Sequence, residues 1–94
     1  MNQTQAMDID AILNERGERY GRFTGHARIT QHLKAVMFAH KPRQDLDDDM
    51  VEALEMIAHK IGRILNGDPL YSDSWRDIAG YAALVADRLD GVSR

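Results

Sequence analysis

The chain has 94 residues, a formal net charge of −3 and no cysteine. That length predicts one domain with a modest core, and the absent thiols exclude disulfides, thiolate metal sites and cysteine nucleophiles. No apolar run reaches the length of a bilayer span, the N-terminus MNQTQAMDID lacks the basic and apolar regions of a signal peptide, and the acidic balance gives no electrostatic case for nucleic acid, so the expected setting is the cytoplasm without membrane contact.

Four helical segments are predicted in chain order, with no strand, no internal repeat and no low-complexity tract. Residues 1–7 are expected to fray. The first helix starts at Asp8 or Asp10, either of which can cap free amides, and runs to Tyr20, with Ile9, Ile12, Leu13 and Tyr20 on one face. Gly21 ends it, and YGRFTG reads as a tight connection. The second helix spans about Thr24 to Ala39 with an apolar stripe of Ile29, Leu33, Val36, Met37 and His40, and His26 in line with it. Pro42 opposes helix in the linker, and Asp45, Asp47, Asp48 and Asp49 suit the next helix's N-terminus.

The third helix, about Met50 to Asn66, separates sharply. Met50, Val51, Leu54, Ile57, Ala58, Ile61, Ile64 and Leu65 fill one half of its wheel; Glu52, Glu55, His59, Arg63 and Asn66 fill the other. Gly67 is a natural C-cap and Asp68-Pro69 stops the helix. Ser72 or Asp73 is expected to cap a fourth helix running to about Asp90, with a stripe of Trp75, Ile78, Tyr81, Ala82, Val85 and Leu89 and a close backbone approach as the reason for Gly80. The expected architecture is all-α, a single four-helix antiparallel bundle over residues 1–94. So thin a core favours a homodimer or higher homo-oligomer.

Two acidic pairs carry the functional reading. Glu52 and Glu55 lie three apart, and Asp73 and Asp77 four apart, spacings that share a helix face. Across an antiparallel seam they would form an oxygen-rich metal site for Mg²⁺ or Mn²⁺, which points to phosphate chemistry. His59 would assist as proton carrier, with Lys60 and Arg63 on phosphate oxygens. The alternative is a solvated face making weak surface pairs, with Asp73 only a cap. Tyr20, Phe23 and His26 could stack on a base and touch phosphate, or could close the end of the core. Arg16, Arg19 and Arg22 form a basic patch that could attract triphosphate or lie solvated. Trp75 and Tyr81 read as core residues with one polar end. No zinc pattern, P-loop or serine-hydrolase motif is present.

The E-x-x-E pair, short turn and second acidic helix resemble the all-α nucleoside triphosphate pyrophosphohydrolases, the MazG and all-α dUTPase group. YGRF, EALEMIAHKIGRILNGDP and DSWRDIAGYAAL look closer to a small family of phage and prophage proteins, over about Ile12 to Leu89. The pyrophosphohydrolase resemblance implies a MazG-like bundle, often dimeric or higher, that holds Mg²⁺ and cleaves a nucleotide between its α- and β-phosphates. Glu52 and Glu55 match the first acidic pair and Asp77 the end of the second; Ser74 stands where that pattern has an acid, with Asp73 one position away. Three functions follow as expectations: a Mg²⁺-dependent phage nucleotide enzyme, a nucleotide sponge without turnover, or a helical interaction protein that modulates a host protein in the bacterial cytoplasm.

Overall fold

A computed structural model describes residues 3–94, with side chains from Asp8 onward. Four helices follow one another: α1 (Gln3–Tyr20), α2 (Phe23–His40), α3 (Asp48–Asn66) and α4 (Ser72–Leu89), with a 3₁₀ turn at Arg43–Asp45. No strand occurs among the described residues, as the all-α reading requires. α1 is helical from Gln3, ahead of the start expected at Asp8 or Asp10; the side chains of residues 1–7, and the fraying expected there, lie outside what is described.

α3 is the central helix, with α2 and α4 packed on either side and α1 touching α2 and α3 more lightly. Lys60 pairs with Asp77 and Asp49 pairs with Arg88, so the α4 partner advances as the α3 position retreats; the two helices are antiparallel. α2 and α3 are antiparallel too: Asn66 meets Arg22, His59 meets His26, and Leu54 shares a groove with Phe38. Asp48 and Asp49 occupy the first turn of α3, where carboxylates oppose the positive end of the helix dipole. The expected cap at Ser72 or Asp73 is displaced. Tyr71 is the N-cap residue of α4 and makes no side-chain cap bond, while Asp73 sits in the first turn.

The buried set differs from the apolar stripes. Phe38, Ala53, Ala58 and Ile64 are the buried apolar residues, joined by His26, Thr30 and Ser74. On α2, Val36 and His40 are exposed, and the inward face is His26, Thr30 and Phe38. Small residues explain this: Gly62 lets α3 come so close that a Cβ there would lie 2.5 Å from the Thr30 methyl group. Trp75 is not a core residue; it is 55 % exposed, held at its edge by a 2.9 Å hydrogen bond from the indole Nε1 to the Pro69 carbonyl. The close approach expected at Gly80 is absent, since an added Cβ would meet nothing within 4 Å. Among the described residues no helix is long and apolar enough to cross a membrane.

Candidate functional site: a cleft at the α1–α2 corner

The α1–α2 turn and the end of α3 are shaped to each other at backbone level. Gly21 has φ 76°, in the left-handed region that glycine adopts without a Cβ penalty. A Cβ at Gly21 would overlap the Asn66 backbone, and one at Gly67 would overlap the backbone of Arg19 and Tyr20. Into this gap Asn66 inserts its amide. Its Nδ2 donates to the Tyr20 carbonyl at 2.8 Å and to the Arg22 carbonyl at 2.8 Å, and the Asp68 amide donates to the Arg19 carbonyl. The Tyr20 carbonyl, left free at the end of α1, is thereby satisfied, and the Arg22 carbonyl gains a second donor beside the His26 amide. The YGRFTG and ILNG segments are one structural unit.

Beside this lock lies a cleft of about 760 Å³, lined by Leu13, Arg16, Gly17, Tyr20, Gly21, Arg22, Phe23, Thr24, His26, His59 and Arg63. Its size falls within the range of small-molecule sites. Three guanidinium groups and no carboxylate line it. The Arg63 guanidinium stacks over the Tyr20 ring at 4.1 Å, Tyr20 meets Tyr71 edge-on at 6.1 Å, and Arg19 covers Tyr71 at 4.3 Å. Stacking fixes planar cations in place without neutralising them. Phe23 is 78 % exposed on the cleft rim, its ring 6.2 Å from that of His26 and inclined by 30°.

At the cleft floor two imidazoles meet. His26 Nε2 lies 3.2 Å from His59 Nδ1, so one nitrogen donates and the other accepts. His26 is only 6 % exposed, and its Nδ1 is buried without a hydrogen-bond partner. Burial pushes His59 down to about 4, helped by the charges of Arg63, His26, Lys60 and Lys34. Burial lowers His26 as well, with Arg63 and Lys34 adding to the effect and the Gly62 backbone opposing it. Near neutral pH both rings are uncharged.

The carboxylates of the expected metal site are placed otherwise. Glu55 accepts from Arg43 Nη2 at 2.8 Å and from its Nε at 3.1 Å. Asp77 pairs with Lys60 at 2.9 Å. Asp73 accepts from the Tyr71 hydroxyl at 3.1 Å and from Arg76 at 3.3 Å, and Glu52 is exposed. Among the described residues no group of three or more His, Asp or Glu side chains is arranged to hold a metal ion. Within the single chain Glu52, Glu55, Asp73 and Asp77 are therefore not gathered across one seam. The physical reason is that basic side chains already neutralise three of them. Lys60, expected on phosphate, is engaged with Asp77, whereas Tyr20, His26, His59 and Arg63 do converge.

The polar half of α3 is also not the solvated face its pattern resembled, because His59, Arg63 and Asn66 are half-buried against the α1–α2 corner. Arg16, Arg22 and Phe23 join the site for a reason visible in sequence only as a basic patch beside an aromatic residue; the fold brings them to Arg63. Comparison with known proteins adds a family and no activity. No curated protein and no solved structure matches the chain. Residues 5–89, nearly its whole length, match the family DUF6378, a domain of unknown function, and the chain belongs to that family.

Proposed function

We propose that this protein binds a nucleotide, or a closely related phosphorylated aromatic small molecule, in the α1–α2 corner cleft. The carrying observation is the combination of Arg16, Arg22 and Arg63 with Tyr20, Phe23 and a neutral imidazole pair in one cleft whose lining holds no carboxylate. Guanidinium groups match phosphate oxygens in planar, two-pronged hydrogen bonds. The exposed Phe23 ring offers a stacking surface for a base. His59 uses Nδ1 on His26 and keeps its other ring nitrogen to donate to or accept from a ligand. Uncharged at neutral pH, it contributes a hydrogen bond rather than a charge.

The reading is binding, without a hydrolytic step. Magnesium-dependent pyrophosphate release would require carboxylates now occupied by Arg43, Lys60 and Arg76. The test is a nucleotide panel read by thermal shift in EDTA and again in Mg²⁺. Ligand at a hundredfold its Kd stabilises the native state by about 2.7 kcal/mol, a shift of many degrees for a chain this small. Nucleoside di- or triphosphates are expected to raise the melting temperature in EDTA. Arg16→Ala and Arg22→Ala, both at exposed positions, should each weaken binding about tenfold, the loss of one charge-assisted contact. A flat response to every nucleotide overturns the reading. A shift that needs Mg²⁺ and disappears in Glu55→Gln transfers the site to the carboxylates.

A further inference from the structure

The outer face of α4 carries an apolar pattern that its own chain leaves uncovered. Trp75, Ala79, Ala82, Ala86 and Leu89 follow one another in alternate steps of four and three, the spacing of a helix-pairing seam. All five are exposed, with Trp75 at 55 % and Leu89 at 58 %. Ile78 and Val85, half-buried, border the seam on the side nearer α3. The indole hydrogen bond to the Pro69 carbonyl fixes Trp75 so that its ring stands at one end of the seam rather than folding inward.

We propose that this face pairs with the same face of a second copy, α4 against α4, in antiparallel orientation about a two-fold axis near Ala82. The seam reads the same in both directions: a bulky residue, three alanines, a bulky residue. Antiparallel pairing puts Trp75 against the partner's Leu89, Ala79 against the partner's Ala86, and Ala82 against its own copy. Three alanines at the centre allow the helix axes to approach to about 8 Å, the short end of the usual range. Charge selects the direction. Arg76 and Asp90 flank the seam on one side, both exposed, and antiparallel pairing brings each Arg76 to the partner's Asp90 at both ends. Parallel pairing would instead leave the two copies of Arg76 on opposite flanks of the seam, with no Asp90 across from either.

The chain as a whole also exposes more surface than its mass requires. It exposes 7008 Å², where a compact monomer of 10.7 kDa exposes about 5,500 Å². Its radius of gyration is 16.0 Å, against about 12 Å for a compact domain of this length. The excess of about 1,500 Å² per chain exceeds the roughly 800 Å² that each partner gives to a standard-sized stable interface. α1 also leaves Ile9, Ile12 and Leu13 exposed, but those three lack the two-way order of the α4 seam.

Analytical ultracentrifugation of the full chain across micromolar concentrations tests the pairing, with emission from the one tryptophan as a second readout. A dimer is expected, with emission shifting to the blue as concentration rises and Trp75 leaves water. Ala82→Glu places two like charges on the axis and should give a monomer that keeps its helical circular dichroism. Arg76→Asp should weaken association at least tenfold, and Arg76→Asp with Asp90→Arg should restore it. Because the chain has no cysteine, Ala82→Cys should cross-link two copies on mild oxidation, whereas Leu84→Cys, on the opposite side of α4, should not. A monomer at every concentration, or a dimer indifferent to Ala82→Glu, overturns the proposal. Failure of the double charge swap to restore association overturns the antiparallel register. Should Ala82→Glu unfold the chain, the cysteine and Arg76 variants decide the matter. None of these outcomes depends on nucleotide binding.

Discussion

The α1–α2 corner and the outer flank of α4 are built on opposite plans. At the corner, backbone meets backbone: Gly21 and Gly67 admit no side chain, and Asn66 threads two carbonyls together. At the flank, Gly80 has open space around it, and Trp75, Ala79, Ala82, Ala86 and Leu89 are exposed. The same residue type therefore means different things in the two places. A glycine with its Cβ volume already filled is a packing requirement, and a glycine with nothing near it is only a weak point in a helix. The comparison also separates the kinds of partner each region suits. An interlocked, arginine-rich corner offers a pre-organised site to a small anion, while a bare apolar flank suits another helix.

Substitutions that attack the corner should have the largest effects. Gly21→Ala combines an unfavourable positive φ with a clash against Asn66, and should cost about 3 kcal/mol or more, read as a drop in the urea midpoint without a change in slope. Asn66→Ala leaves the Tyr20 carbonyl without its donor and takes one of two donors from the Arg22 carbonyl, and should cost about 2 kcal/mol in the same measurement.

Acidification probes the imidazole pair at the corner. His59 is held near 4 and His26 is also lowered, so the unfolded chain takes up protons below about 6.5 that the folded one refuses. Stability is full above that pH and is lost as pH falls toward 4, by about 1–2 kcal/mol once solvent screening of the half-exposed His59 is allowed for. Thermal melts of wild type and His59→Gln from pH 7 to pH 4 check this, with the variant showing the shallower decline.

On the flank the sign reverses. Gly80→Ala should stabilise α4 by about 0.5–1 kcal/mol, because alanine lowers the entropy of the unfolded chain and meets no neighbour. A loss of stability there would show that the region is more crowded than the corner comparison holds. Smallest of all, Glu55→Gln removes one partly exposed pair with Arg43 and should change stability by less than about 1 kcal/mol while leaving nucleotide affinity intact.

Much of the fold is legible in the sequence. The third helix announced itself through its divided wheel and its Asn66-Gly67-Asp68-Pro69 ending, and α2 and α4 ended within a residue or so of where their patterns stopped. The cleft was half readable: Tyr20, His26, His59 and Arg63 were candidates on residue type alone, and they converge. The pairing of the carboxylates is not legible in the sequence, because spacing within a helix says which side chains share a face and nothing about which cations stand opposite. Glu55 met Arg43 across a linker, and Asp77 met Lys60 across a helix seam. The exposure of Trp75 is not legible either, because hydrophobicity alone suggests burial, whereas its indole is tethered to the Pro69 carbonyl at the surface.

Sequence alone determined that the chain is helical, where its helices stop, and that it has no thiol chemistry, because periodicity, glycine and proline placement and residue inventory are local properties. The tertiary structure decided that the polar half of α3 is partly enclosed, that guanidinium groups rather than carboxylates gather at the corner, and that α4 keeps an apolar seam in solvent. Those outcomes depend on which helix lies against which and how closely. Here that distance was set by glycines at positions 21, 62 and 67, whose missing side chains matter only once a neighbouring helix arrives to fill the space.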